Sequence, residues 1–289
     1  MTDKLTSPRV IDGLLHKYDL HFNKRFGQNF LIDENIVENI VAQAALNEND
    51  VVVEIGPGIG TMTRVLSRDA GKVYTVEIDK KLIPVLEETL ADCDNTTVIC
   101  GDIMKTDVAE LVKADLANGM TLKIVANLPY YITTPIIMGF LESDLPIAGM
   151  VFLIQKEVGE RICAGPGTKA YGSLSVACQY YAEPDLVFNV PASVFMPRPN
   201  VDSIVVSLQK RKTPLYTVSD QDFFFKVVKA GFLNRRKTLI NSLSANLPQS
   251  KDVLLAALAQ AGIDPAIRGE RLTGEDFAGL AEAILAFEK

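Results

Sequence analysis

The sequence contains few of the residues that bind metal ions or form disulfide bonds. Its 289 residues include two histidines, four cysteines and no tryptophan. The histidines, His16 and His21, both lie near the amino terminus, so we expect neither a metal site nor histidine acid–base catalysis. The cysteines show no Cys-x-x-Cys spacing and are expected to be reduced thiols. They are Cys93, Cys100, Cys163 and Cys178.

Long hydrophobic runs are absent as well. No apolar run approaches the roughly 20 residues that span a bilayer, and residues 1–12 lack the apolar centre of a signal peptide. We therefore expect a cytoplasmic protein that does not contact a membrane. We also expect it to be a monomer. A chain of 289 residues is long enough for one α/β domain and a smaller second domain.

The sequence also has no excess of basic residues, and its formal net charge is −7. Basic residues nevertheless cluster at Lys24–Arg25, Lys210–Lys212 and Arg235–Lys237. Binding to nucleic acid depends on local contacts with phosphates more than on net charge. The composition therefore leaves an RNA partner open.

From Val51 to about Lys156, short apolar runs alternate with amphipathic segments, a pattern typical of βαβ units on a parallel sheet. The runs are Val51–Ile55, Lys72–Glu77, Thr97–Cys100, Leu122–Ala126 and Met150–Ile154. Before them, Asp33 is expected to cap a helix.

Two further strands are predicted at Leu186–Phe188 and Ile204–Leu208. No helix separates them, so we expect an antiparallel pair at the edge of the sheet. Seven strands in this arrangement match the plan of a class I, Rossmann-like methyltransferase.

A polar link, Lys210 to Asp220, leads into a region with helical periodicity. Thr273–Asp276 fits the capping box of a final helix. We therefore predict two domains, an α/β domain at residues 1–209 and a small all-helical domain at residues 210–289.

A glycine-rich turn follows the first predicted strand and is the first sign of a ligand site. Gly56, Gly58 and Gly60 would let the backbone approach a ligand at the start of a helix. The next strand ends at Glu77, whose carboxylate can accept hydrogen bonds from two ribose hydroxyls. NAD, FAD, S-adenosylmethionine and a simple glycine turn all remain open at this point.

Gly101-Asp102 follows the third strand at the same edge of the sheet. The Asp102 carboxylate can accept a hydrogen bond from an adenine amino group, with Ile78 and Ile103 against the ring. Turn chemistry alone explains a Gly-Asp pair about equally well.

The segment Asn127-Leu128-Pro129-Tyr130 follows the fourth strand and is more specific. Adenine N6 is a poor nucleophile because its lone pair is delocalised into the ring. The Asn127 side-chain oxygen and the Leu128 carbonyl can accept both amine hydrogens and favour a tetrahedral nitrogen. Pro129 would stiffen the turn, and Tyr130 can stack on the base.

From its amino-terminal arm to its last helix, the chain resembles the KsgA/RsmA family of ribosomal RNA adenine dimethyltransferases. Beyond the motifs above, Phe26–Leu31 resembles the family's element that closes over the methionine end of the cofactor. Val194–Ser203 resembles its late loop for the target base, and Asn234–Lys237 resembles the start of its helical carboxyl-terminal segment. Asn127–Tyr130 is the adenine form of the family motif.

The resemblance implies S-adenosylmethionine as methyl donor, no metal, and a small-subunit rRNA substrate. The implied reaction is N6,N6-dimethylation of two adjacent adenosines in the 3′-terminal hairpin loop of 16S rRNA, late in subunit assembly. The expected cofactor residues are Asn29, Leu31, Gly56, Gly58, Gly60, Glu77, Ile78, Asp102, Ile103 and Asn127. The expected catalytic residues are Asn127, Leu128, Pro129, Tyr130 and Phe195, and those expected to bind RNA are Arg198, Arg235, Arg236 and Lys237.

Three alternatives remain. An Erm-type methyltransferase that modifies 23S rRNA would share the core motifs, but the form of residues 196–203 and Arg235–Lys237 favour the small-subunit enzyme. An NAD-dependent oxidoreductase leaves Asn127–Tyr130 without a role. A non-catalytic ribosome assembly factor is disfavoured by the intact motifs.

Overall fold

The computed structural model describes residues 4–22 and 27–287. The predicted basic pair Lys24–Arg25 and the aromatic residue Phe26 lie outside the described residues. The chain divides into two compact units. The first comprises Met1–Gly159 and Asp185–Lys210, and the second comprises Glu160–Pro184 and Arg211–Lys289.

The first unit is built on a seven-stranded sheet, with a separate two-stranded sheet beside it. The strands are β1 (Phe30–Leu31), β2 (Asp50–Ile55), β3 (Lys72–Glu77), β4 (Thr96–Cys100), β5 (Thr121–Asn127), β6 (Ile147–Gln155), β7 (Ala182–Val190), β8 (Phe195–Met196) and β9 (Ser203–Lys210). The large sheet has the order β4-β3-β2-β5-β6-β9-β7. Strands β4, β3, β2, β5 and β6 are parallel, and β9 is antiparallel to β6. The predicted class I methyltransferase fold is confirmed.

The predicted strands lie where the apolar runs indicated, because strands buried on both faces need nearly continuous hydrophobic sequence. All six residues of β2 are buried. The two predicted late strands, β7 and β9, are neighbours at the edge of the sheet. Both are longer than their hydrophobic centres suggested.

The helices that begin in the first unit precede its parallel strands, connect them or, in the case of the last helix, follow them. They are α1 (Pro8–Lys17), α2 (Glu34–Ala42), α3 (Thr61–Asp69), α4 (Ile83–Thr89), α5 (Val108–Ala117), α6 (Thr133–Glu142) and α7 (Lys156–Cys163). Asp33 caps α2 as predicted, since its carboxylate accepts hydrogen bonds from the backbone N–H groups of Asn35 and Ile36 at 2.9 and 3.2 Å.

The small sheet joins two segments that lie far apart in the sequence. β1 and β8 are antiparallel, with Phe30 opposite Met196 and Leu31 opposite Phe195. Each strand has only two residues, which is too short for a periodicity to predict it. The pairing fixes the residues before Glu34 against those before Pro197.

The second unit is helical. Its helices are α8 (Ser173–Tyr181), α9 (Gln221–Leu233), α10 (Leu239–Asn246), α11 (Lys251–Gln260) and α12 (Gly274–Ala286). The capping box at the start of α12 is present, with the Thr273 hydroxyl accepting from the Asp276 N–H at 3.1 Å. Among the described helices, none is long and apolar enough to cross a bilayer.

Two details differ from the sequence-based predictions. Residues 160–184 belong to the second unit rather than to the α/β domain, since Tyr180 of α8 packs against Phe224 and Phe225 of α9 with ring centroids 5.3 Å away from its own. Arg235–Lys237 do not begin a helix, because they occupy the turn between α9 and α10.

Candidate functional site

A cavity opens where β2, β3 and β5 end, and most of the predicted site residues line it. The lining includes these predicted residues: Asn29, Leu31, Gly56, Gly58, Glu77, Ile78, Asn127, Leu128, Pro129 and Tyr130. Three separate sequence motifs thus meet in one place because parallel strands present their carboxyl ends at one edge of a sheet.

The glycine-rich turn between β2 and α3 forms one wall of this cavity. Gly56 and Gly58 have φ angles of 67° and 61°, in the left-handed region that favours glycine. A Cβ at Gly58 would lie 2.9 Å from the ring of Phe30, so the backbone there is closely packed. Gly60 does not line the cavity. Instead, its α-carbon faces Leu90 and Thr89, where a Cβ would lie 3.0–3.1 Å from their side chains.

Glu77 lies at the end of β3 and is 4% exposed. Its Oε1 accepts a hydrogen bond from the Asp79 N–H at 2.8 Å, and its Oε2 accepts one from the Gly58 N–H at 3.4 Å. Burial raises the pKa of this carboxyl to about 7, although the hydrogen bonds from Asp79 and Gly58 lower it. The side chain therefore ties the glycine turn to β3 and presents a buried carboxyl group to the cavity.

Glu54 is a lining residue that the sequence analysis did not select. It is fully buried, and its Oε2 accepts a hydrogen bond from the Thr63 hydroxyl at 2.6 Å. Its Oε1 has no hydrogen-bond partner within the described residues. Burial raises the pKa of the Glu54 carboxyl to about 7, although the Thr63 and Thr75 hydroxyls lower it, and the nearby Glu77 also raises it. The sequence could have identified Glu54, because it is an acid inside the apolar run Val51–Ile55 and a buried carboxyl group needs a partner.

The turn that begins at Asn127 forms the opposite wall. The Asn127 amide nitrogen donates a hydrogen bond to the Asn29 carbonyl at 3.2 Å, which turns the amide oxygen away from that carbonyl. The Leu128 N–H donates to the Leu153 carbonyl of β6 at 3.0 Å, and the Thr133 hydroxyl donates to the Pro129 carbonyl at 3.0 Å. The turn is therefore held by the sheet on one side and by α6 on the other.

Besides Gly60, three predicted catalytic or cofactor residues do not reach the cavity. The Asp102 carboxylate accepts a hydrogen bond from the Met104 N–H at 3.0 Å, as in an Asx turn. Ile103 lines a second cavity, between α5 and α6. Phe195 is 3% exposed and packs in the hydrophobic core with Leu31, so its ring offers no face to a base in this conformation.

The basic residues predicted to bind RNA differ in their surroundings. Arg198, Arg236 and Lys237 are exposed. Arg235 is exposed as well, but it donates hydrogen bonds to the carbonyls of Lys169 and Tyr171 at 2.9 and 3.1 Å and lies 3.5 Å from the Glu270 carboxylate. It thus joins three segments of the second unit.

Lys210, from another predicted basic cluster, is not a free surface cation. Its ammonium group donates hydrogen bonds to the carbonyls of Phe140 and Leu145 at 3.1 and 3.2 Å, and to that of Ser143. Burial lowers the pKa of Lys210. The residue caps the carboxyl end of α6, where a cation is stabilised by unpaired carbonyls.

Comparisons with known proteins identify the family of this chain. Residues 19–284 match the family model described as ribosomal RNA adenine dimethylase. The chain is 49% identical over 284 residues to ribosomal RNA small subunit methyltransferase A of Bacillus mycoides (strain KBAB4), with 97% of each chain covered. The corresponding protein of Bacillus cereus (strain B4264) gives the same identity and coverage.

Solved structures with the same fold include a dimethyladenosine transferase from Plasmodium falciparum, with a TM-score of 0.74 and 26% identity over 87% of this chain and 95% of that one. The 23S rRNA methyltransferase ErmE has a TM-score of 0.67 and 26% identity over 88% of this chain and 99% of that one. The family model spans nearly the whole chain, and the curated relatives share about half of its residues. On these grounds the chain belongs to the ribosomal RNA adenine dimethylase family.

Proposed function

We propose that this protein transfers methyl groups from S-adenosylmethionine to N6 of adenosine in small-subunit (16S) rRNA and forms N6,N6-dimethyladenosine. The observation that carries the proposal is the Asn127–Tyr130 turn, which is fixed at the end of β5 and lines the same cavity as two buried glutamates. Family membership and the 49% identity to small-subunit methyltransferases support the same assignment.

The cavity suits S-adenosylmethionine, which is cationic and carries a ribose. Glu77 would accept hydrogen bonds from the two ribose hydroxyls. Glu54 has an unpartnered Oε1 at the cavity wall, and a cationic ammonium group would satisfy it. The cofactor supplies a methyl group activated by a positive sulfonium. Asn29, Leu31, Gly56, Gly58 and Ile78 would enclose it.

The target adenine would lie against the turn. The Asn127 amide oxygen and the Leu128 carbonyl would accept the two N6 hydrogens and favour a tetrahedral nitrogen whose lone pair points at the methyl group. Tyr130 would stack on the ring, and Pro129 would restrict the turn. Alignment of nitrogen, methyl and sulfur would supply most of the rate enhancement.

The four predicted residues that lie outside the cavity would also contribute to the site. The second carboxylate oxygen of Asp102, which lies 3.8 Å from the exposed Lys105 ammonium, would accept a hydrogen bond from the adenine amino group of the cofactor, and Ile103 would approach the ring. Gly60 would act through packing against α4. Phe195 would stack on the target base only after β8 moves out of the core, since its ring is buried.

The target base must leave its stack before N6 can reach the methyl group, which costs least in a loop. We expect two adjacent adenosines in the 3′-terminal hairpin loop of 16S rRNA as targets, within an immature small subunit in the cytoplasm.

The second unit carries 13 Lys and Arg against 11 Asp and Glu, whereas the first carries 16 against 25. The acidic excess therefore belongs to the first unit. The exposed Arg236 and Lys237 in the second unit, and Arg198 in the first, would meet phosphates.

The direct test is incubation of the full chain with labelled S-adenosylmethionine and unmethylated small subunits, followed by nucleoside analysis and mapping. Dimethyladenosine at two neighbouring positions of the 3′ hairpin is the expected result. Label confined to large-subunit rRNA would move the chain to the Erm type. An Asn127→Ala variant provides the control, because it should still fold and bind small subunits but give no product. Product from this variant at the wild-type rate would contradict the role of the amide.

The second candidate function is that of a non-catalytic ribosome assembly factor. It predicts binding to immature subunits without any label transfer. The unpartnered Glu54 oxygen favours the enzyme, because a cavity that no longer binds a cationic cofactor has no need for a buried unsatisfied carboxyl group.

A further inference from the structure

Tyr131 is exposed although it adjoins the turn that would hold the target base. Its exposed fraction is 57%, the highest among the large apolar and aromatic side chains that the structure describes. The neighbouring Tyr130 is half-buried, and its hydroxyl is hydrogen-bonded to Ser203. The two consecutive tyrosines thus differ in exposure: Tyr130 forms part of the cavity wall, whereas more than half of Tyr131 is exposed.

The position of Tyr131 is the rim of the cavity. A Cβ built on Gly27 would lie 3.7 Å from Cδ1 of the Tyr131 ring, 3.8 Å from Cβ of Pro129 and 3.9 Å from the Tyr130 nitrogen. Gly27, Pro129 and Tyr130 all line the cavity, whereas Tyr131 does not. The ring therefore lies just outside the opening, with an edge against Gly27.

Extrusion of a target adenosine leaves the next base in the strand without a stacking neighbour. Consecutive Cα atoms are about 3.8 Å apart, so a ring one residue beyond Tyr130 is within reach of the nucleotide one position from the target. An exposed aromatic ring stacks on any base without a sequence requirement. This step rests on the proposed function, since it places an adenosine at Tyr130.

We propose that Tyr131 is the stacking platform for the nucleotide adjacent to the target adenosine. Tyr130 positions the base that is methylated, and Tyr131 holds its neighbour, an unpaired base of the RNA loop. When the two targets are adjacent adenosines, the neighbour on Tyr131 is the other target. The platform then keeps the loop open at the site between successive methylations.

A fluorescence experiment tests the contact itself. The probe is an RNA hairpin with 2-aminopurine next to the target adenosine, mixed with an excess of full-length protein and S-adenosylhomocysteine. Wild type and Tyr131→Phe, which retains the ring, are expected to quench the fluorescence of 2-aminopurine to a similar degree. Tyr131→Ala is expected to lose most of the quenching at saturating protein. Equal quenching by Tyr131→Ala and wild type would overturn the proposal, as would a Tyr131→Phe variant as defective as Tyr131→Ala.

Kinetics on unmethylated small subunits provide the second readout. Tyr131→Ala is expected to lower kcat/KM by about 5- to 150-fold, the factor expected for one lost base stack. Phe287→Ala removes an exposed aromatic side chain of the second unit and is expected to match wild type. An unchanged kcat/KM in Tyr131→Ala would refute the platform.

Cofactor affinity distinguishes a stacking role of Tyr131 from a structural role. Tyr131→Ala should bind S-adenosylhomocysteine as wild type does, and a loss of that binding would instead indicate a structural role and overturn the proposal. If wild type forms no dimethyladenosine, the proposed function fails. If wild type is active and Tyr131→Ala equals it, only the platform fails.

Discussion

The Tyr130 hydroxyl and the Ser203 hydroxyl lie 2.8 Å apart, although 73 residues separate them in the sequence. Tyr130 belongs to the turn after β5, and Ser203 is the first residue of β9, opposite Gln155 of β6. The bond thus spans the end of β6 and fixes the para position of the tyrosine ring. Asp202, one residue earlier, accepts a hydrogen bond from the Ala192 N–H at 2.9 Å, which anchors the late loop at the same point.

Loss of this bond should slow methyl transfer without affecting the cofactor. Ser203→Ala and Tyr130→Phe are each expected to lower kcat by about 2- to 12-fold, since a hydrogen bond contributes about 0.5–1.5 kcal/mol net. The double variant should be no slower than either single one, because both remove the same contact. Single-turnover kinetics on small subunits measure this. Ser207→Ala, on the same strand, is the control, and additive losses in the double variant would contradict the coupling.

Glu77 should dominate cofactor affinity. Glu77→Gln keeps the size of the side chain and removes the charge, so we expect about 10- to 150-fold weaker binding of S-adenosylmethionine, from a charged hydrogen bond worth about 1.5–3 kcal/mol. Isothermal titration calorimetry measures the change. Glu87→Gln, an exposed acid on α4, should bind like wild type. Unchanged affinity in Glu77→Gln would remove Glu77 from the ribose contact.

Cofactor binding should depend on pH near neutrality. Burial raises the pKa values of Glu54 and Glu77 to about 7 in the cofactor-free protein. A cationic ligand favours the ionised carboxyl groups. Affinity for S-adenosylmethionine should therefore rise between pH 6 and pH 8, and binding at pH 7 should release protons. Calorimetry in two buffers of different ionisation enthalpy detects this release, and its absence would contradict the coupling.

Glu54→Gln should stabilise the cofactor-free protein above neutral pH. Because the folded-state pKa of Glu54 lies above its ordinary value of 4.5, stability falls as pH rises from about 4.5 through about 7. The neutral glutamine avoids that loss, so the cofactor-free variant should be more stable than wild type at pH 8, on the order of 1–3 kcal/mol. Urea denaturation at pH 5 and pH 8 tests this. A variant less stable than wild type at pH 8 would contradict burial of a charge there.

The basic residues of the turn between α9 and α10 should have two different roles, with Arg236 and Lys237 contacting RNA and Arg235 stabilising the fold. Arg236→Ala with Lys237→Ala should weaken binding to small subunits and lower the slope of log K against log salt by about 2, one unit per phosphate contact. Lys226→Ala with Lys229→Ala removes the same charge from the exposed face of α9 and should leave the slope near wild type. Equal effects of the two pairs would mean that only net charge matters.

Arg235→Ala should act mainly on the fold of the second unit. It removes hydrogen bonds to the carbonyls of Lys169 and Tyr171, so we expect a loss of about 1–2 kcal/mol in unfolding free energy. Thermal denaturation measures this loss. A stable Arg235→Ala variant with a reduced salt slope would instead place the guanidinium on RNA.

Local patterns in the sequence determined the strands of the large sheet, the glycine turn and the turn at Asn127. Each of these depends on hydrophobic periodicity or on the conformational preferences of adjacent residues, which a single segment carries by itself. The parallel arrangement then brought Gly56, Glu77 and Asn127 to one edge of the sheet. This much of the site could be predicted.

Tertiary structure decided the features that depend on which distant segments meet. The pairing of β1 with β8 buries Phe195 in the core, and no local pattern distinguishes a buried aromatic ring from one that faces a ligand. Arg235 and Arg236 are identical neighbours in sequence, yet only the loop at Lys169 and Tyr171 gives Arg235 its carbonyl partners. Glu54 became a site residue because the packed chain leaves its Oε1 buried at the cavity without a hydrogen bond of normal geometry among the described residues. Burial and hydrogen bonding between remote segments are properties of the packed chain, since they arise only when those segments come into contact.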